Sequence, residues 1–564
     1  MKTAVLSNIN LNPLKVFLAQ KEIYFAGYGQ YVQELINPNS SVNTKDFDMI
    51  FLHLEGEEFI KEILESLMTT QEARQIIAEK LKLLSGALTQ YMQKHPAASV
   101  LLTTIVFPPF VFSNYLDVNS PYSLRTLEGY INEELMEWSK KFSQLYLMDW
   151  RSLVLSHGYK QIVDEKFWYL GRIKYTSGAF KALALEIQNI TRAIEGKAKK
   201  ILALDLDNTL WGGILGEDGA GGINLSEEGI GKAYRDFQRA IKSLIDLGVL
   251  LAVNSKNNPE DVEEVFADHP MMILKKEDFV SFKVNWNNKA DNLKEMANEL
   301  NLGLESFVFI DDSPREREMV KALLPQVSVP EFVQDPAFLK TWFLEKVVYP
   351  EFPKVFVTSE DRAKSTQYKA LGQRNELAKE LCMEEFIKQL GIEIGFYVND
   401  KRLIQRTAQL TQKTNQFNMT TRRYTEAEVD SFMNNPQTVV FNLDYRDKFG
   451  SEGVVGAAIV RKKESVGYLD SFLLSCRIIG RSVEYVLLYK ILDYLKGQRI
   501  KEVSAEFIPT PKNSVAQDFY KNTEFMRMEQ REASVYFQDT IETLLASLQK
   551  KYKIEDMILN TAVK

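Results

Sequence analysis

The chain has 564 residues, of which 45% are hydrophobic and 26% charged, and its formal net charge at pH 7 is −7. This balance is ordinary for a globular protein, and without a long basic tract it does not indicate binding to nucleic acid or to an anionic membrane. The two cysteines, Cys382 and Cys476, exclude a disulfide framework and fit a reducing compartment. Because the sequence has neither a signal-peptide pattern nor an apolar run of membrane-spanning length, we expect a cytoplasmic protein. The length of the chain predicts about three or four domains.

Residues 1–195 alternate short apolar runs with helical patterns. The runs at 47–53 and 98–106 predict buried strands, as does 145–148, and residues 57–84 carry apolar side chains at helical spacing. Strands that alternate with helices indicate a parallel, flavodoxin-like sheet.

The stretch at 201–209 is where the sequence points most directly to chemistry. The apolar run at 201–204 predicts a buried strand, and Asp205 and Asp207 follow it, with Asn208 and Thr209 turning the chain away. Two carboxylates at the carboxyl edge of a sheet repel each other, and a divalent cation relieves that repulsion. The simplest reaction for such a site is phosphoryl transfer with Mg²⁺. The alternative is a surface turn in which the aspartates only cap the next element.

Later segments bring further polar groups to the same predicted edge. They are Asn254 and Ser255 after a strand at 249–253, Lys289 in the first turn of a helix, and Asp311 and Asp312 after a strand at 306–310. A cation in the first turn opposes the helix dipole, which is understandable if Lys289 has an anionic partner. The alternatives are a plain helix cap for Ser255 and a solvated side chain for Lys289, with Lys283 as a rival for its role.

The residues after Trp211 include six glycines in the eleven positions 212–222. This composition predicts a short flap over the strand end rather than a large cap domain.

The last third of the chain combines predicted strands with helices. Strands are predicted at 392–397, 438–443, 454–460, 466–474 and 502–507, and helices at 365–386, 404–414 and 483–495. The loop before the last of these helices has an Arg-x-x-Gly-x-Ser pattern, in which backbone N–H groups and the helix dipole can face a phosphate. The candidate phosphate contacts there are Arg477, Gly480, Arg481 and Ser482, the alternative being a helix start without a ligand.

Cys476 lies at the mouth of this loop, where two arginines and the helix dipole would lower the pKa of a thiol. A buried structural cysteine is the alternative reading. Cys382 lies within a helical pattern and is expected in the core. The segment 536–564 predicts a terminal helix and a loose end.

The central motifs resemble those of the haloacid dehalogenase (HAD) superfamily, in order along the chain: Asp205-x-Asp207-x-Thr209, Ser255, Lys289 and Asp311-Asp312. More closely, the chain resembles the FkbH-like group, HAD subfamily IIIC, in Asp-Leu-Asp-Asn-Thr-Leu-Trp-Gly-Gly at 205–213, Gly-Glu-Asp-Gly at 216–219, Asn-Ser-Lys-Asn at 254–257 and Phe-Val-Phe-Ile-Asp-Asp at 307–312.

By this resemblance Asp205 is the nucleophile and Asp207 the general acid and base. Ser255 and Lys289 would hold the phosphoryl oxygens, with Asn208, Thr209 and Asn254 as neighbouring substrate contacts. The implied Mg²⁺ ligands are Asp205, the backbone carbonyl of Asp207 and Asp311, with Asp312 beside them.

The flanking regions also carry resemblances. The first domain resembles the SGNH hydrolase fold, in which the histidine of an Asp-x-x-His motif activates a serine such as Ser7. In this chain the motif that begins at Asp164 has Phe167 in place of the histidine, so a degenerate domain is expected. The last domain resembles the GNAT acyltransferase fold, through the loop at 477–482 and the pattern from Asn513 to Phe525.

The expected architecture is therefore α/β with three domains and a tail. They are an SGNH-like parallel sheet at 1–195, a HAD core with a small flap at 197–345, a GNAT-like α+β domain at 355–545 and a tail at 546–564. The family association implies transfer of a glyceryl unit from a phosphorylated three-carbon acid to the phosphopantetheine thiol of an acyl carrier protein, with Mg²⁺ as cofactor. The position of Cys476 adds the hypothesis that it carries the glyceryl unit as a thioester, with a buried structural cysteine as the alternative. The alternatives are a small-metabolite phosphatase without acyl transfer and a non-catalytic scaffold.

Overall fold

The structure is a computed structural model of the chain. It describes residues 2–18, 22–65, 68–111, 115–119, 121–358, 361–362, 364, 366–368, 370, 374, 385, 389–525, 527–531, 534–552 and 562–563. The chain folds into two compact units, residues 1–191 with 425–428, and residues 192–424 with 429–564. In the described part of the chain, no helix combines the length and apolarity needed to cross a bilayer.

The first unit is built on a five-stranded parallel sheet in the order β2-β1-β3-β4-β5. Its strands are β1 Lys2–Ser7, β2 Glu22–Phe25, β3 Met49–His53, β4 Ser99–Thr103 and β5 Leu145–Met148. The parallel sheet and the α/β class predicted from the alternating pattern are therefore confirmed. Strands β3, β4 and β5 lie within the predicted runs, β1 and β2 are additional strands, and helical segments connect the strands.

The helices before residue 195 are Tyr31–Ile36, Ser41–Thr44, Gly56–Phe59, Lys61–Leu64, Thr70–Lys94, Leu116–Asn119, Leu124–Lys141, Trp150–His157, Tyr159–Ile162, Glu165–Gly171 and Ser177–Ile194, with a 3₁₀ turn at Asn12–Val16. The helical spacing of apolar residues over 57–84 is divided among three helices, Gly56–Phe59, Lys61–Leu64 and Thr70–Lys94. A new helix starts at Thr70 because Thr69 and Glu72 form a capping box, each accepting a hydrogen bond from the other's backbone N–H.

The second unit contains a four-stranded parallel sheet in the order β8-β7-β6-β9. Its strands are β6 Ile201–Leu204, β7 Leu250–Ser255, β8 Phe279–Val284 and β9 Phe307–Ile310. Strand β6 is buried on both faces, since Leu202 and Leu204 pack into one apolar cluster and Ile201 and Ala203 into another. An uninterrupted apolar run is what a central parallel strand requires.

Helices cover this sheet and continue beyond it. They are Leu215–Asp218, Gly229–Asp246, Pro259–Asp268, Lys289–Glu299, Pro314–Leu323, Leu339–Phe343 and Tyr349–Glu351, with 3₁₀ turns at Lys276–Asp278, Leu304–Ser306 and Pro336–Phe338 and a π-turn at Leu344–Val348.

The second sheet of this unit follows the order β16-β17-β15-β14-β13-β12-β10-β18, with β11 paired to β14. The strands are β10 Glu393–Val398, β11 Phe417–Asn418, β12 Thr438–Asp447, β13 Gly450–Lys463, β14 Val466–Leu474, β15 Glu502–Phe507, β16 Arg527–Arg531, β17 Ser534–Thr540 and β18 Ala562–Val563. The pairs from β10 to β14 are antiparallel, whereas β14 and β15 are parallel and a helix connects them.

The helices of this region are Ile404–Lys413, Glu426–Asn434, Val483–Gly497, Phe519–Asn522 and Ile541–Tyr552, with 3₁₀ turns at Lys401–Leu403, Cys476–Ile478 and Ser514–Ala516. The helix predicted at 365–386 lies mostly outside the described residues, and so does Cys382. The terminal helix expected from residue 536 begins at Ile541 instead, because residues 534–540 pair with β15 as strand β17. The domain boundaries expected at 195, 345 and 355 stay predictions.

Candidate active site

The strand order of the four-stranded sheet brings three chain segments to one edge. Strand β6 lies between β7 and β9, and Leu204 is in register with both Val253 and Ile310. Since all strands are parallel, Asp205, Ser255 and Asp311 leave the sheet at its carboxyl edge. We call this edge, with Asp205, Asp207, Ser255, Lys289, Asp311 and Asp312, the acidic centre.

Three carboxylates of the acidic centre form a compact group. One oxygen from each of Asp205, Asp311 and Asp312 lies within 4.8 Å of the others. Burial and the charge of Asp205 raise the pKa of Asp311 to about 7 and that of Asp312 to about 6. Anions packed this closely, with oxygen ligands facing one another, fit a hard divalent cation, which offsets their repulsion. The residues present therefore fit a metal ion of this class.

Lys289 supplies a positive charge inside this group. It opens the helix Lys289–Glu299, and its side chain is almost fully buried. Its Nζ lies 2.9 Å from Asp205 Oδ2 and 2.6 Å from Asp311 Oδ2. Burial lowers the pKa of Lys289, but the two carboxylates more than offset that and raise it above its ordinary value. Its rival, Lys283, pairs with carboxylates elsewhere, on Glu295 and Glu299.

Asp207 is oriented by three donors. Its Oδ1 accepts hydrogen bonds from Trp211 Nε1 at 3.0 Å and from the Leu215 N–H at 3.1 Å, and its Oδ2 accepts one from Asn257 Nδ2 at 3.0 Å. Two of these donors belong to the glycine-rich flap, which a backbone bridge between Gly212 and Asn224 closes. The flap therefore fixes the carboxylate that the sequence assigns to proton transfer.

The neighbouring polar residues hold the backbone of the site. Asn208 adopts φ +51° and its Oδ1 accepts from the Gly213 N–H at 2.9 Å. Thr209 Oγ1 accepts from the Asp312 N–H at 3.2 Å, and Asn254 Nδ2 donates to the Lys289 carbonyl at 2.9 Å. Their predicted contact with substrate stays a prediction, and the contacts they make here position the acidic centre.

Two residues of the site were missed by the sequence reasoning. Asn257 donates to Ser255 Oγ at 3.2 Å as well as to Asp207, so it connects the ends of β6 and β7. Arg317 Nη1 donates to the carbonyls of Asp311 at 2.9 Å and Asp312 at 2.7 Å. An asparagine two residues past a strand end is a usable signal. The arginine gives none, because charged residues surround it in the sequence.

The loop after β14 holds a different set of charges. Arg477 and Arg481 are buried, and their guanidinium groups lie 3.1 Å from Glu452 Oε2 and 3.9 Å from Asp447 Oδ2. Arg374 is also buried and pairs with both of these carboxylates. The arginines thus face internal anions, which a buried guanidinium requires.

Gly480 and Ser482, in the same loop, both have positive φ, at +83° and +59°. Ser482 directly precedes the helix Val483–Gly497 and makes no side-chain cap to it. The role of this loop as a phosphate cradle stays a prediction.

Cys476 lies apart from the acidic centre, at the other edge of the four-stranded sheet. Its carbonyl accepts from Asn301 Nδ2 at 2.7 Å, and Asn301 precedes strand β9 rather than following it. The thiol is partly exposed, and its Sγ lies 4.0 Å from the Tyr368 hydroxyl. The structure therefore brings Asp205, Asp207, Ser255, Lys289, Asp311 and Asp312 together and leaves Cys476 at the amino edge.

Comparison with known proteins finds solved structures that resemble parts of this chain. No family model matches the chain, and no curated protein does. The crystal structure of the N-terminal part of the protein BF1531 from Bacteroides fragilis matches with a TM-score of 0.57 and 26% identity, over 63% of this chain and 94% of that one. That protein part is described as containing a phosphatase domain complexed with Mg.

Two further structural matches are much weaker. The ribosomal-protein-S18-alanine N-acetyltransferase from Escherichia coli has a TM-score of 0.20 and 13% identity over 26% of this chain and 94% of its own. Ard1 from Thermoplasma volcanium has a TM-score of 0.22 and 16% identity over 27% of this chain and 98% of its own. The function proposed below does not depend on either.

Proposed function

We propose that the chain is a Mg²⁺-dependent HAD-type enzyme that dephosphorylates a phosphorylated three-carbon acid and delivers its glyceryl unit to the thiol of an acyl carrier protein. The observation that carries the phosphoryl-transfer part is the acidic centre, where three carboxylates and the Lys289 ammonium converge at a sheet edge. The similarity to a phosphatase domain complexed with Mg supports the same reaction class and the same metal.

In this proposal the chain's own groups perform the transfer. Asp205 attacks phosphorus, the bond from phosphorus to the leaving oxygen breaks, and Asp207 gives that oxygen a proton. Water then attacks the aspartyl phosphate, Asp207 takes its proton, and inorganic phosphate leaves. Lys289 compensates negative charge throughout.

Mg²⁺ would be held by Asp205, the backbone carbonyl of Asp207 and Asp311, with Asp312 beside them. When bound, the ion neutralises the phosphoryl oxygens. Ser255 would donate a hydrogen bond to one of them, and Asn257 fixes the Ser255 hydroxyl from the protein side.

The acyl step uses a different group. The substrate of this step carries two phosphates, an ester that Asp205 attacks and an acyl phosphate at the carboxyl group, so loss of the ester phosphate leaves the carbonyl activated. The Cys476 thiolate attacks that carbonyl carbon, the bond from carbon to the phosphate oxygen breaks, and phosphate leaves with that electron pair. The carrier thiol then attacks the resulting thioester and releases Cys476 as a thiolate. The resemblance to the FkbH-like group is what motivates this step and its substrate.

The test is incubation of the pure protein with candidate phosphoglycerates and Mg²⁺, with intact-protein mass spectrometry and a phosphate assay in parallel. We expect phosphate release and a glyceryl mass increase, first on the protein and then on an added carrier. Phosphate release without any acyl mass would support the plain phosphatase instead. No turnover and no Mg²⁺ binding would leave a non-catalytic scaffold.

A further inference from the structure

A cavity of about 370 Å³ lies within the second unit at the amino edge of the four-stranded sheet. One wall comes from Lys200 and residues 301–306, which precede β6 and β9, and another from the loop that carries Cys476. We call it the amino-edge cavity. Its volume is within the range of pockets that hold small ligands, about 300–1,000 Å³.

The amino-edge cavity is separate from the acidic centre. Lys200 directly precedes β6 and Asp205 directly follows it, so the length of one strand lies between them. Five residue steps at about 3.3 Å each place the two about 17 Å apart. A three-carbon acid is too short to reach both, so a ligand in this cavity is not bound by Asp205.

The described wall of the cavity is strongly basic. Six of its side chains are cationic and one, Glu305, is a carboxylate; the cations are Lys200, Lys364, Arg406, Lys413, Arg477 and Lys512. Some of this charge is already paired, since Lys512 contacts Glu305 at 2.9 Å and Arg477 contacts Glu452. Among the described residues, Lys364 and Lys413 have no carboxylate each to themselves, because both contact the same one.

That carboxylate is Asp361, whose side chain is 1% exposed. It lies 3.0 Å from Lys364 Nζ, 3.1 Å from Lys354 Nζ and 3.6 Å from Lys413 Nζ. Although burial raises the pKa of Asp361, the three ammonium groups hold it well below its ordinary value. When all three lysines are protonated, a single charge of −1 thus faces three of +1.

The excess of positive charge disfavours the protonated forms of Lys364 and Lys413. Burial and the neighbouring Lys354 lower the pKa of Lys364 to about 7, and burial with Lys364 lowers that of Lys413 well below its ordinary value. Partly buried cations without enough anions are stabilised by any anion that reaches them. Because both lysines line the cavity, its interior is where such an anion would bind.

We propose that the amino-edge cavity binds the phosphate group of an organic phosphate, with Lys364 and Lys413 as its phosphate-binding residues and Asp361 as the residue that positions them. Binding there does not require phosphoryl transfer at the acidic centre. Cys476 and Tyr368 also line this cavity, so the rest of the ligand is held beside a thiol.

Two sources of phosphate fit this chemistry, the phosphopantetheine arm of a carrier and a phosphorylated three-carbon acid. Isothermal titration with each compound distinguishes the two sources. EDTA is added because, without a metal, the carboxylates of the acidic centre repel phosphate, so binding there does not contribute. The ligands are 4′-phosphopantetheine, 3-phosphoglycerate and, as the control without phosphate, pantetheine. We expect one phosphate compound to bind and pantetheine to bind at least about tenfold more weakly, since charge-assisted contacts are lost.

The variants Lys364→Met and Lys413→Met should each weaken that binding about tenfold or more, whereas Lys346→Met, at an exposed position, should leave it within about twofold. Binding unchanged in both cavity variants, or no binding of either phosphate compound to the wild type, would overturn the proposal.

Two further measurements keep the test decisive. Should the methionine variants unfold, Lys364→Arg retains the charge and should retain binding, and in the wild type the ligand should protect Lys364 and Lys413, but not Lys346, from acetylation detected by peptide mass spectrometry. Equal acetylation with and without ligand would contradict the site. Failure of the proposed function has a different signature: Asp205→Asn would keep phosphate release, whatever happens in the cavity.

Discussion

The two edges of the four-stranded sheet carry opposite charge arrangements. At the carboxyl edge, in the described part of the chain, Asp205, Asp311 and Asp312 gather around the ammonium of Lys289. At the amino edge, three lysines gather around the carboxylate of Asp361. One edge therefore has an excess of negative charge and the other an excess of positive charge, and the length of one strand separates them.

Under the two proposals, the two edges of one sheet would bind ligands of opposite charge. Groups of like charge that are held close and partly buried raise the free energy of the protein until a counter-ion arrives. The carboxyl edge is thus prepared for a cation and the amino edge for an anion. The following predictions change one edge at a time and ask whether the other responds.

The largest effect is expected for Asp205→Asn at the acidic centre. Loss of the attacking carboxylate should lower the rate of phosphate release by about 10³-fold or more. The melting temperature and the binding of phosphate compounds in EDTA should be retained. The matched control is Asp291→Asn, on the exposed face of the helix that Lys289 opens, where Asp291 pairs with Lys294. Wild-type phosphate release in Asp205→Asn would rule out this residue as the nucleophile.

A smaller effect is expected for Asp311→Asn. The amide keeps the shape of the side chain but removes one of three anionic oxygens, so the Mg²⁺ concentration needed for half-maximal phosphate release should rise at least about tenfold. EDTA should abolish wild-type release and added Mg²⁺ should restore it. Unchanged activity in EDTA, or an unchanged Mg²⁺ requirement in the variant, would contradict the metal site.

A substitution at the amino edge should affect the acyl step without affecting phosphate release at the acidic centre. Cys476→Ala should leave phosphate release from a phosphate ester within about twofold of wild type, because the thiol lies at the far end of the sheet from Asp205. It should also remove the acyl mass from the protein. Cys382→Ala is the matched control and should keep that mass. If acyl mass persists in Cys476→Ala, another group carries it.

The smallest effect is a pH dependence of stability. In the unfolded chain Lys364 has an ordinary pKa near 10.4, and in the folded protein its pKa is about 7. Between pH 7 and 9 the unfolded state therefore holds more protons on this side chain, and the free energy of unfolding should rise with pH.

The melting temperature, followed at both pH values, should rise less in Lys364→Met than in the wild type, with Lys413 still contributing a part. Equal rises in the two proteins would mean that Lys364 is not the titrating group.

The fold was largely accessible from the sequence because parallel strands leave an uninterrupted apolar signal. The run at 201–204 is strand β6 with the predicted bounds, the run at 306–310 contains strand β9 at 307–310, and each strand is followed directly by carboxylates. Helix bounds were harder: the break near Thr69 depends on a local capping box that apolar spacing does not report. The strand at 534–540 was taken for helix because its pairing with β15 is a contact distant in sequence.

The sequence alone thus determined which residues follow the central strands, since that depends on local order along the chain. The tertiary structure decided which edge each distant residue reaches. Lys354 and Lys364 are near Asp361 in sequence, whereas Lys413 comes from a distant segment, and only folding brings its ammonium group to Asp361. Likewise Asn301, not any local pattern, locates Cys476 at the amino edge. Charged residues that are close in space but distant in sequence leave no periodic signal, so the excess of cations over anions at a site is seen only in the tertiary structure.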